Sequence, residues 1–81
     1  MAYYVYVIQS LKDHKYYIGS TSDVAKRLAF HNNARQRSTH HRIPFVMIIQ
    51  EELPTKTEAL KRELFIKSLK GGEAFKKLLR A

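Results

Sequence analysis

The chain has 81 residues, 44% of them apolar, a formal charge of +8 and no cysteine. That length supports one small core, so residues 1–81 are expected to form a single domain, and neither disulfides nor a cysteine-based zinc site can reinforce it. No apolar run approaches the ~20 residues of a membrane-spanning helix, and the chain enters a strand pattern without a charged leader, which together point to a cytoplasmic protein.

The surplus of Lys and Arg favours polyanionic partners, because neutralising phosphates releases condensed counterions. A merely solvated basic surface carries the same charge, so composition alone does not name the partner.

In chain order, Tyr4-Val5-Tyr6 and Tyr17-Ile18-Gly19 alternate aromatic and β-branched residues with the period of half-buried strands. Leu11 to Lys15 between them holds an Asp-His pair suited to a turn, which makes the segment a β-hairpin. Antiparallel pairing puts Tyr6 and Tyr17 on one sheet face and sends Tyr3 and Tyr16 to the other, where packing is expected. Gly19 stands where a side chain would crowd an approaching backbone, although a strand-ending glycine explains it nearly as well.

Ser22 or Asp23 can cap a helix whose apolar stripe is Val24, Leu28 and Ala25, running to about His31. Arg27 and His31, four residues apart, share a face and can rim the sheet. Asn32 to Arg42 is polar and basic, and reads as a loop or a short irregular helix. Phe45 to Gln50, between Pro44 and Pro54, reads as a third strand covered on both faces.

Thr55 with Glu58 resembles a capping box, and Ala59, Leu60, Leu64 and Ile66 supply the apolar spacing of a second helix ending at Gly71-Gly72. Phe75, Leu78 and Leu79 then mark a short third helix over Glu73 to Leu79. The order is ββαβαα, an α+β fold.

The set Tyr4-Val5-Tyr6, Tyr17-Ile18-Gly19, Arg27, His31 and Glu63 resembles the GIY-YIG nuclease domain over nearly the whole chain. More narrowly it resembles the small, uncharacterised UPF0213-like members, with Ser38 to Phe45 and Ala59 to Glu63 standing in the places of their further motifs. Two departures are Tyr4 in place of the first Gly of the motif and no counterpart of the late Asn found in some homing endonucleases. The resemblance implies a small three-stranded antiparallel sheet flanked by helices and phosphodiester hydrolysis with one divalent metal, Mg²⁺ or Mn²⁺. It also implies DNA as substrate, with branched or damaged forms among the candidates.

Hydrolysis requires a base, a cationic clamp and a path for the leaving oxygen. Under the resemblance Tyr6 and Tyr17 are the base candidates, with Lys26 and Arg27 supplying a field that lowers the phenol pKa. Strand tyrosines more commonly pack, and the residues alone favour that reading. Arg27 suits two phosphate oxygens and His31 can orient water or serve the leaving oxygen. Glu63 is the metal candidate, with pairing to Lys67 one turn on as its ordinary alternative. Gly19, Lys26, Arg35, Arg37 and Arg42 are the nucleic-acid contacts expected around them. Tyr6, Tyr17, Arg27 and Glu63 should meet in one cleft, because both helices pack on the same small sheet. The alternative to an endonuclease is a catalytically weak or inactive nucleic-acid-binding module of the same fold. A third reading, a protein-interaction domain, leaves the charge to solubility alone.

Overall fold

The computed structural model describes residues 2–32 and 43–80, so the expectations for Arg35, Arg37 and Arg42 lie outside the described residues. The elements are β1 (Tyr3–Ser10), β2 (Tyr16–Thr21), α1 (Val24–Asn32), β3 (Phe45–Leu53), α2 (Lys56–Leu69) and α3 (Glu73–Arg80). The three strands form one antiparallel sheet in the order β2-β1-β3. Among the described residues no helix is long and apolar enough to cross a membrane.

The β1–β2 turn is built by side chains standing in for backbone partners. Ser10 Oγ accepts from the N–H groups of Lys12 and Asp13, and Asp13 Oδ1 accepts from Lys15 N at 2.9 Å. His14 takes the left-handed conformation that closes the turn (φ 63°), one that costs an L-residue roughly 1–2 kcal/mol. This fixes the register Tyr6 opposite Gly19 and Ile8 opposite Tyr17, so Tyr6 and Tyr17 share a face.

Alternation along the central strand then separates two cores. Val5, Val7 and Ile18 pack with Ala59 and Ile66 of α2 and Phe75 of α3, joined by Tyr3 and Tyr16 at the margins. Tyr6, Ile8 and Phe45 pack on the other face with Tyr17, Leu28 of α1 and Met47. The two faces thus carry different helices, α1 on one and α2 with α3 on the other.

Three expectations are corrected. The third strand runs on to Leu53 and is an edge strand, with Ile48 37% exposed at the register shift between Val7 and Ile8. The strand covered on both faces is β1, because only the central position gives two neighbours and two helix layers. In α2, Leu60 and Leu64 point outward, 47% and 61% exposed, together with Phe65 at 50%. The helix is turned so that Ala59 and Ile66 are buried while Arg62 and Glu63 reach polar partners on the sheet. Arg62 meets Glu51 of β3 through two hydrogen bonds, 2.7 and 3.1 Å, and this paired fork sets the roll of the helix more firmly than an exposed leucine would. The third correction is the single cleft: α1 and α2 lie on opposite faces, so Tyr6 and Glu63 can approach one another only around the sheet edge.

The caps agree with the sequence. Asp23 Oδ1 accepts from Lys26 N at 3.0 Å at the start of α1, and Thr55 Oγ1 accepts from Glu58 N at 3.2 Å at the start of α2. At the other end of α1, the Asn32 amide closes a two-bond ring with the Phe45 backbone: Phe45 N donates to Oδ1 at 2.7 Å and Nδ2 donates to Phe45 O at 3.2 Å. The helix end is thereby fastened to the first residue of β3.

Candidate active site at the edge strand

Tyr6 projects from the central strand onto β2. Its ring lies across Gly19, so close that a Cβ there would stand 2.5 Å from the phenol oxygen and 2.8 Å from Cζ. The approach that Gly19 permits is therefore made by the Tyr6 ring, and the glycine acts by letting the phenol extend over the edge strand.

His31, on the last turn of α1, receives the phenol. Tyr6 Oη and His31 Nε2 are 3.4 Å apart, and the imidazole, only 7% exposed, is held among the rings of Tyr6, Tyr17, Phe30 and Phe45 at centroid distances of 5.7–6.4 Å. Among the described residues its Nδ1 has no hydrogen-bond partner. The expected rim position of His31 is thus a buried one, because the Asn32–Phe45 clamp draws the helix end onto the sheet. Burial, with Arg27 adding to it, lowers the His31 pKa and favours neutral imidazole. A neutral ring keeps one nitrogen able to accept a proton.

Tyr6 contradicts one expectation. Its phenol is pushed above the ordinary tyrosine value: burial is the largest cause, Arg27 acts downward and Glu63 upward. The expected depression by nearby cations is outweighed, since removing a phenolate from water costs more than one exposed guanidinium returns. Lys26 does not figure among the causes. It lies instead with Arg27 on a polar groove of about 460 Å³ formed with Thr21, Asp23 and Phe30. Arg27 is exposed and sits 5.8 Å from the Phe30 ring centroid.

Glu63 comes from the opposite face. Ser20 Oγ donates to its Oε1 and Lys67 Nζ to its Oε2, both at 2.8 Å, and the side chain is 14% exposed. Ser20 neighbours Gly19 on β2, so the carboxylate and the Tyr6 phenol meet at the same two residues of the edge strand, which is why the charge of Glu63 is felt at Tyr6. Among the described residues no group of three His, Asp or Glu side chains forms a metal cage. Glu63 offers the hard carboxylate oxygens that would hold Mg²⁺ or Mn²⁺ as one protein ligand, with water and substrate phosphate completing the shell, in exchange for the Ser20 or Lys67 contact. Tyr17 shares the Tyr6 face, edge-on to Phe45 at 5.6 Å.

Ser20 and Asn32 hold the candidate site together and were not singled out from the sequence. Ser20 was legible only as the even-numbered neighbour of Gly19, pointing to the face that α2 covers, and nothing in the local pattern distinguishes the Asn32 clamp from an ordinary helix-ending Asn.

A phenol over a strand glycine, a His against it and a glutamate from a second helix at the neighbouring serine lie together at the β2 edge. The family model of the GIY-YIG catalytic domain matches residues 2–77, and the chain belongs to the GIY-YIG family. Its relatives include UPF0213 proteins of Staphylococcus saprophyticus, 40% identical over 82% of this chain and 80% of the relative, and of Halobacterium salinarum, 40% identical over 83% and 87%. The solution structure of a UPF0213 protein from Bacillus halodurans is similar at a TM-score of 0.50 and 32% identity, covering 93% of this chain and 92% of that one.

Proposed function

We propose that this protein is an endonuclease that hydrolyses DNA phosphodiester bonds with one divalent cation. The observation that carries the reading is geometric: the Tyr6 phenol lies across Gly19 with His31 Nε2 3.4 Å from its oxygen, beside Ser20, which donates to the Glu63 carboxylate at 2.8 Å.

Arg27 binds the scissile phosphate through its planar fork, which suits two non-bridging oxygens. Glu63 holds the cation, which when bound supplies charge stabilisation to the phosphate and makes a nearby water more acidic. Tyr6 takes the proton of the attacking water as its own proton passes to neutral His31, whose Nε2 lies 3.4 Å away; the new P–O bond forms as the bond to the leaving oxygen breaks, and that oxygen takes its proton from solvent water. This relay spares the buried phenol from standing as a free phenolate, the form that its surroundings disfavour. Tyr17 hydrogen-bonds the substrate phosphate from the same face, and Lys26 contacts the flanking backbone.

A second reading is a nucleic-acid-binding module of the same fold with little or no turnover. It is favoured by the engagement of both Glu63 oxygens by Ser20 and Lys67. The test is incubation of pure protein with labelled duplex, branched and single-stranded DNA in Mn²⁺, Mg²⁺ or EDTA, beside Glu63→Gln. The endonuclease reading expects metal-dependent cleavage that the variant loses while its DNA affinity is kept. Cleavage retained by Glu63→Gln at the same metal concentration removes Glu63 as ligand, and binding without cleavage on any substrate selects the module.

A further inference from the structure

A groove of about 580 Å³ lies between the start of β2 and the α2–α3 turn, adjoining the candidate site through Tyr17. Its floor is apolar: the half-buried Tyr16 ring and Leu79 form its surface, and Tyr16 rests edge-to-face at 5.3 Å on the Phe75 ring, which is 3% exposed and belongs to the core. Its rim is cationic, formed by Lys15, Lys70 and Lys76 with His14, and among the described residues no carboxylate side chain lines it. Lys70 Nζ donates to the Tyr16 carbonyl at 2.8 Å, which pins its head at the rim and leaves further N–H donors for a ligand. Lys76 stands 3.7 Å from Glu73 Oε1 with both side chains largely exposed, a contact too wet to hold it. The turn leaves the mouth open, since a Cβ on Gly71 (φ +89°) would meet nothing within 4 Å. Tyr17 lines the groove too, so the groove runs on from the candidate site.

An aromatic and aliphatic floor ringed by lysines matches a nucleotide, with the base on the floor and its phosphates against the ammonium groups. The volume falls within the ~300–1,000 Å³ usual for small-ligand sites. We propose that this groove is a subsite for one unstacked nucleotide of the strand that passes Tyr17. The proposal rests on the DNA reading above for its occupant, and it deepens that reading by naming a nucleotide held out of the stack beside the scissile phosphate. An acidic peptide would satisfy the lysines but gain little from the Tyr16 ring and Leu79, so the charge and the floor together favour the nucleotide.

The test is an NMR titration of the intact protein with thymidine 5′-monophosphate, with inorganic phosphate, thymidine and a tetra-glutamate peptide as separate arms. The expected result is saturable shifts at Lys15, Gly71, Gly72 and Leu79 with the nucleotide, about tenfold tighter than with phosphate, as one stacked base provides. Lys76→Glu, at an exposed position, should weaken nucleotide binding, and Leu79→Gln should remove its advantage over phosphate. If Leu79→Gln fails to fold, Lys76→Glu and the four ligands decide alone. Equal affinity for nucleotide and phosphate, tighter binding of the peptide, or shifts away from the groove overturn the proposal. The outcome is separable from the nuclease reading: nucleotide binding can stand where Glu63→Gln has refuted the metal role, and cleavage can stand where the groove binds nothing.

Discussion

Gly19→Ala probes the contact on which the site depends. The added Cβ would fall 2.5 Å from Tyr6 Oη, 2.8 Å from Cζ and 3.1 Å from Cε2, all atoms of a ring that is 6% exposed and backed by His31. The tip of the ring must move, and overpacking of this kind costs roughly 1–3 kcal/mol. Against that, Ala in a strand regains roughly 0.5–1 kcal/mol of backbone entropy relative to Gly. The net expectation is a loss of about 1–2 kcal/mol, which for a domain this size lowers Tm by roughly 5–15 °C. The displaced phenol should also become wetter, so its pKa, read by ultraviolet titration of the phenolate, should fall toward the ordinary tyrosine value. A double-mutant cycle isolates the cause: in a Tyr6→Phe background the hydroxyl is gone, and the cost of Gly19→Ala should shrink. A Gly19→Ala protein with wild-type Tm and an unchanged tyrosine titration would refute the claim that Gly19 exists to seat Tyr6.

Arg27→Ala should weaken DNA binding as well as any cleavage, and Lys should restore it only in part; equal binding at low salt by wild type and Ala variant removes the clamp. Asn32→Ala should cost about 1–3 kcal/mol in denaturant unfolding, because the Phe45 N–H and C=O both lose their partner. His31 has a folded pKa below its unfolded value of 6.5, so the unfolded chain takes up the proton first as pH falls. The stability this contributes is present above pH 6.5 and lost below it toward the folded pKa, and His31→Gln should flatten that part of the stability–pH curve. Leu64→Lys, at a side chain that is 61% exposed, should change stability by no more than about 0.5 kcal/mol; a large loss would mean that Leu64 is covered.

The sequence by itself determined the order of elements, the hairpin, the two helix caps and the shared face of Tyr6 and Tyr17, since these follow from local periodicity and from side chains that bond within three residues of themselves. The Tyr, Arg, His and Glu set was singled out by the resemblance to the GIY-YIG domain; the residues by themselves favoured packing and solvated roles. What only the tertiary structure decided are relations across the sheet. The roll of α2, which exposes Leu60 and Leu64, depends on Arg62 finding Glu51 and Glu63 finding Ser20, partners that a helical wheel cannot register. The burial of His31 depends on Asn32 reaching Phe45 thirteen residues on. The sign of the shift at Tyr6 depends on both, because desolvation is set by what packs around a group and not by its neighbours in sequence.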